Sequence, residues 1–119
     1  MNEVLRSLGD SHTLKIFELI AESRLRAWEI MDIAKITRKQ AYSRLAQLNK
    51  NGLIKREIGV YRLTTYGMIT FELLKIHKKA AEQTYRLVAV DKLLSDGVHE
   101  QEMINDLIAD KELRLLIKW

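Results

Sequence analysis

Residues 66–94 place Tyr66, Ile69, Leu73, Ile76, Ala80, Gln83, Leu87, Val90 and Leu94 at alternating steps of three and four, without a slip. That is a seam of four heptads, and it predicts one helix from Thr65 to about Leu94. At about 1.5 Å per residue such a helix is on the order of 43 Å long. A small globular body does not reach that far, and an apolar stripe left in water needs a cover. The simplest cover is the same helix of a second copy, related by a two-fold axis. The expected dimer interface is therefore Ile69, Leu73, Ile76, Ala80, Leu87, Val90 and Leu94. The tail, "EQEMINDLIADKELRLLIKW", is the other available cover. It offers Met103, Ile104, Leu107 and Ile108, then Leu113, Leu116 and Ile117, with Asp110 placed to cap a final short helix. We expect the tail to fold back on the long helix and a homodimer to bury what remains. Trp119 is expected at a frayed end.

Composition supports a helical chain. Among 119 residues there is no Pro and there are five Gly, so few helix breakers exist. The absence of Cys removes disulfides, thiolate metal sites and cysteine nucleophiles together. No run of about 18 apolar residues is present, so no membrane partner is expected. The opening "MNEVLRSLGD" lacks an apolar signal core, which points to a cytoplasmic protein.

Charge is unevenly spread. Residues 1–66 hold 12 Lys and Arg against 7 Asp and Glu, whereas residues 67–119 hold 8 against 9. Residues 35–62 concentrate eight bases, Lys35, Arg38, Lys39, Arg44, Lys50, Lys55, Arg56 and Arg62, against the single acid Glu57. A clustered cationic patch on a near-neutral remainder is the footprint of a phosphate-binding surface, although most charge runs are ordinary solvated faces.

The local patterns organise that patch. "NEVLRSL" can form a short helix with Val4, Leu5 and Leu8 on one side. Asp10 or Ser11 can cap "SHTLKIFELIAES", whose Leu14, Phe17, Ile20 and Ala21 make a buried stripe. "EIMDIAK" is a helix of about two turns with Ile30, Ile33 and Ala34 inward and Trp28 as core or as a wedge. Thr37 and Gln40 fit a reciprocal capping box at the start of a third helix, over residues 38–51, which Gly52 can end in a left-handed cap. On this helix Ala41, Leu45 and Leu48 share one face. Lys39, Gln40, Ser43, Ala46, Gln47 and Lys50 share the opposite one, and Arg38, Tyr42 and Arg44 lie on the shoulders. The outward face holds no acid, whereas a merely solvated helix would mix Glu with Lys. Its ammonium, amide and hydroxyl groups are those that read base edges in a major groove.

"LIKREI" and "VYRLT" then form a basic hairpin over residues 53–63. Gly59 favours a type II or longer turn, because a type I′ turn would force Ile58 to positive φ. Lys55, Arg56 and Arg62 project from it.

Three helices followed by a basic hairpin describe a winged helix-turn-helix. "LGDSHTLKIFELIAE" looks like the first-helix signature of ArsR-type regulators. "EIMDIAKITRKQAYSRLAQLNKNGLI" is similar to the helix-turn-helix of the ArsR/MarR superfamily, and "YRLTTYG" resembles its exit from the hairpin. "TRKQAYSR" and "GLIKR" resemble small archaeal winged-helix regulators in particular. The likeness covers about residues 8–75. It implies a homodimeric transcription regulator with double-stranded DNA as partner. Two departures stand out: Lys35 occupies the helix-turn-helix corner where Gly is usual, and the hairpin is short for the family.

The resulting expectation is a mainly α chain with a small β-hairpin. Residues 1–66 would be the winged helix-turn-helix domain and residues 67–119 the helical dimerisation region. Lys39, Gln40, Ser43 and Gln47 would face bases. Arg38, Tyr42, Arg44, Lys50, Lys55, Arg56 and Arg62 would hold phosphates. The protein would sit in the cytoplasm, at the nucleoid. An architectural or protein-interaction winged helix with little sequence preference is the alternative. His12, His77 and His99 lack ligand spacing, so no metal or other cofactor is expected. "DSH" at residues 10–12 is consecutive and cannot form a triad. With no phosphate loop and no acid–base pair, an enzyme is not expected, and no effector is named by the sequence.

Overall fold

The computed structural model describes residues 2–117; Trp119 therefore lies outside the described residues. The chain divides into two compact units, Met1–Phe71 and Glu72–Trp119.

The first unit opens with α1 (Asn2–Leu8) and α2 (Ser11–Glu22), then β1 (Leu25–Arg26), α3 (Ala27–Ala34) and α4 (Arg38–Lys50). The hairpin strands β2 (Ile54–Glu57) and β3 (Val60–Leu63) follow, and α5 (Thr65–Glu82) begins directly after them. The strands form one antiparallel sheet in the order β1-β3-β2. The third strand was not anticipated: a Leu-Arg pair is too short to show alternation, and its partner Val60–Tyr61 lies far along the chain.

The core of this unit is Ile16, Phe17, Ile20, Ile30, Ala41, Leu45, Leu48, Leu53 and Ile54. Phe17 meets Phe71 edge to face, with centroids 6.2 Å apart, a favoured aromatic geometry. Trp28 departs from expectation. It is 66% exposed rather than core, because Ala27 and Ile30 supply the inward face of α3. Leu5 is also exposed, while Val4 and Leu8 of the same helix are buried.

Gly67 is the close-approach point of this unit. Thr64 is its organiser: its hydroxyl donates to the Gly52 carbonyl and accepts from the Gly67 amide, and its own amide donates to the Leu53 carbonyl at 3.0 Å. A Cβ on Gly67 would collide with that same Leu53 carbonyl. The first turn of α5 is thereby pressed onto the start of the wing.

The expected single helix to Leu94 is corrected by a break at Gln83. α5 ends at Glu82, and α6 runs from Thr84 to Ser95. Gln83 takes φ −114 and ψ 25, outside the helical range. The Thr84 hydroxyl donates to the Ala81 carbonyl at 2.7 Å, a local bond that competes with the helix ladder. α7 (Gln101–Leu107) and α8 (Lys111–Leu116) complete the second unit. Asp110 caps α8 by accepting from the Leu113 amide, as its position before a short apolar run suggests.

The tail does fold back within this unit. Val90, Ile104, Ile108 and Leu113 form a buried cluster, and Ile76, Ala80, Leu87 and Leu94 pack against it. Five of the seven expected seam residues thus have an intrachain cover. Ile69 and Leu73 lie outside that cluster and are 56% and 61% exposed, with Leu73 bordering an apolar recess beside Leu113, Leu116 and Ile117. Among the described residues no helix is long and apolar enough to cross a membrane.

Candidate nucleic-acid interface

The interface is built on α4. Thr37 Oγ1 accepts from the Gln40 amide at 3.2 Å, and Gln40 Oε1 accepts from the Thr37 amide at 3.0 Å, completing the capping box. At the far end the Leu53 amide donates to the Leu48 carbonyl, and Gly52 takes φ 77, the left-handed cap that Gly adopts without a Cβ penalty. Asn51 Nδ2 donates to Ser7 Oγ at 2.7 Å and ties this end to α1. Both termini are fixed, and Ala41, Leu45 and Leu48 are buried, so the opposite face is held outward.

The corner before α4 keeps the usual backbone despite its residue. Lys35 sits at φ 54 and ψ 50, and its amide donates to the Met31 carbonyl. A left-handed lysine carries a strain of about 1 kcal/mol, and the turn has not been reshaped to avoid it.

The expected base-facing residues Lys39, Gln40, Ser43 and Gln47 are all exposed. Gln40 is not fully free, because its carbonyl already accepts in the capping box. A bidentate bond to adenine would have to share that oxygen. Ser43 and Gln47 line a polar cavity of about 280 Å³ together with Arg6, Ser7, Asp10, Thr13 and Arg44. Arg6, on α1, therefore lies beside the outward face of α4. No local pattern in the sequence marks it.

The expected phosphate contacts fall into three groups. Lys50 is exposed at the end of α4. Arg38 stacks over the Tyr42 ring, 5.5 Å from its centroid, and Arg56 stacks over Tyr61 at 5.7 Å. Arg44, Lys55 and Arg62 are engaged by carboxylates. Arg44 Nε donates to Asp10 at 3.0 Å, while Lys55 and Arg62 reach the same Glu57 oxygen at 3.0 and 2.8 Å.

These pairs follow from register. Lys55 stands directly opposite Arg62 in the hairpin, where like charges repel, and Glu57 relieves both. The Arg62 hydrogen bond, and then that of Lys55, hold the Glu57 carboxyl down at about 2. Asp10 is the N-cap of α2. The Thr13 hydroxyl and amide, then Arg44, hold its carboxyl down at about 2 as well.

The hairpin turn also differs from expectation. Glu57 pairs with Val60, so Ile58 and Gly59 form a two-residue loop. Ile58 has φ 52 and Gly59 φ 76, the signature of the type I′ turn that the sequence argued against. The twist of two directly paired strands favours that turn and outweighs the dislike of a β-branched residue for positive φ. Arg26 joins the wing from β1. A Cβ on Gly59 would stand 3.3 Å from its Nη1.

Solved structures resemble this arrangement. The quinone-bound YodB of B. subtilis is 25% identical, with a TM-score of 0.63, over 70% of this chain and 96% of that one. The homodimeric winged helix-turn-helix DNA-binding domain of a possible ArsR-family transcriptional regulator from Mycobacterium bovis is 21% identical. Its TM-score is 0.59, over 66% of this chain and 78% of that one. This chain has a winged helix-turn-helix fold. An ArsR-like transcriptional regulator from Rhodococcus sp. RHA1 is 19% identical with a TM-score of 0.52, over 77% of this chain and 90% of that one. No family model and no curated protein matches the chain. In this winged helix α3 and α4 are the helix-turn-helix, and β2 and β3 are the wing. Among its described residues no group of three or more His, Asp or Glu could hold a metal ion.

Proposed function

We propose that this protein is a homodimeric, sequence-specific DNA-binding transcription regulator of the cytoplasm, acting at the nucleoid. α4 lies in the major groove, with Lys39, Ser43 and Gln47 at base edges and Gln40 contributing its amide donors. Arg38, Tyr42, Arg44, Lys50, Lys55, Arg56 and Arg62 hold phosphates. The observation that carries this reading is the outward face of a doubly capped helix that bears no acid from Arg38 to Lys50. Dimerisation runs through the exposed Ile69 and Leu73. Two recognition helices about 34 Å apart then select a pseudo-palindromic operator.

A second reading is an architectural winged helix that binds any duplex. It is favoured by the internal engagement of the Gln40 carbonyl in the capping box, which leaves fewer groups to discriminate bases. Selection of bound sequences from a random duplex pool, then titration of the selected duplex against random DNA at fixed salt, separates the two. A specificity ratio near one supports the architectural reading. On the selected duplex, Gln47→Ala should relax specificity with little change in nonspecific affinity. Arg56→Ala should weaken all duplexes alike and lower the salt slope by about one unit. Equal losses on selected and random DNA for both variants would overturn the division of roles.

A further inference from the structure

Two acids of the second unit stand where helices favour the opposite charge. Asp96 is the C-cap of α6, and its amide donates to the Leu94 and Lys92 carbonyls. Asp106 lies in the last turn of α7, which carries no base. A helix C-terminus is the negative end of the helix dipole and favours cations. Their stretch of chain offers little relief. Residues 91–106 hold Asp91, Asp96, Glu100, Glu102 and Asp106 against a single Lys or Arg, Lys92. Among the described residues no base pairs with Asp96 or Asp106; the ion pairs of this unit engage Glu72, Asp110 and Glu112 instead.

Both carboxylates border one recess of about 470 Å³ between α6 and α7, whose apolar lining is Ala89, Leu93, Met103 and Leu107. These positions recur at three and four along each helix, so each helix gives the recess one face. Val90 of α6 and Ile104 of α7 are buried in the core cluster of the unit, which holds the two helices together behind the recess. The volume lies within the range of about 300–1,000 Å³ typical of small-molecule sites. α7 has seven residues, about 10 Å of helix, which is too short to seat a partner helix along several turns of anchors. Met103 is 39% exposed, and its unbranched side chain can reshape around an apolar body. Lys92 shares the rim but is exposed, and its long stem can turn the ammonium to water.

We propose that the α6–α7 recess binds a small organic cation, its apolar body against Leu93, Met103 and Leu107 and its positive group at the Asp96 and Asp106 carboxylates. Such a ligand supplies the charge that the two helix ends lack. A neutral molecule of the same shape gains only the apolar contact, and an anion meets like charge at the rim. The site lies wholly within the second unit and does not depend on the DNA-binding reading.

Three probes with one apolar body test it: phenylbutylamine, phenylbutanol and phenylbutyrate, which are cationic, neutral and anionic near neutral pH. Each is titrated into the full-length protein at low salt and followed by amide chemical shifts. The amine should bind at least about tenfold tighter than the alcohol, and the carboxylate should bind weakest. The shifts should centre on Asp96, Gly97, Met103 and Leu107. Added salt should narrow the gap between amine and alcohol, because the rim is open to water. In the double variant Asp96→Asn/Asp106→Asn, which keeps the shape of both side chains, the amine should bind no tighter than the alcohol. The thermal midpoint of that variant without probe should rise, because two unfavourable charges leave helix C-termini. Met103→Lys, at a partly exposed position, should weaken the amine at least about tenfold while the circular dichroism stays unchanged. Equal binding of amine and carboxylate overturns the proposal, as does a charge preference that survives the double variant. Shifts centred outside α6 and α7, or no binding of any probe at millimolar concentration, overturn it too.

Discussion

Two side chains at positive φ, Lys35 and Ile58, occupy the two turns that shape the surface. Both backbones are set by their neighbours: Lys35 by the closing bond to Met31, Ile58 by the pairing of Glu57 with Val60. Asp10 acts at the same scale, linking the cap of α2 to Arg44 of α4. Its carboxyl is depressed to about 2 from an ordinary 3.8. A depressed carboxylate stabilises the native state above its unfolded value, and that contribution fades as pH falls through the folded one. The melting temperature of wild type should therefore approach that of Asp10→Asn as pH is lowered from about 5 to about 2, because Asn retains the cap but not the charge. Parallel curves for the two proteins would remove the ion pair from the account.

Individual elements are defined by their ends. The start and stop of α4 were legible because Thr37 and Gln40 act three residues apart at one end and Gly52 acts on the adjoining last turn at the other. β1 was not, since its bonding partner is remote, and neither was the break at Gln83. Heptad spacing records which residues prefer burial, and it continues across a turn that preserves that preference. Gly67 was also silent in the sequence. Its need for a bare Cα comes from the Leu53 carbonyl. Gly67→Ala should destabilise the protein by about 1–3 kcal/mol through overpacking against backbone, measurable by denaturant unfolding. A loss below about 0.5 kcal/mol would show that α5 shifts freely over the wing.

For the whole molecule, positive charge is concentrated in residues 35–62. Arg6 and Arg26 extend that charge from elsewhere in the chain. The apolar seam divides in two. Ile76, Ala80, Leu87, Val90 and Leu94 serve the chain's own tail, and Ile69 and Leu73 face outward. Ile69→Glu should weaken self-association at least about 100-fold, since a two-fold interface meets each substitution twice. Its thermal midpoint at high dilution should stay near that of wild type, because the residue is exposed in the single chain. An unchanged sedimentation coefficient across the micromolar range would overturn the proposed dimer surface.

The sequence by itself determined the caps of α4, its buried stripe, its acid-free face and the basic hairpin. Each depends on residues a few positions apart, and helix period and capping chemistry are local. Only the tertiary structure decided that Lys35 accepts the left-handed corner, that the wing closes in a type I′ turn, and that Asp10 and Glu57 engage Arg44, Lys55 and Arg62. It also gave most of the heptad seam an intrachain cover. Those outcomes depend on groups brought together across the chain, where strand register and competition for buried surface override local preference.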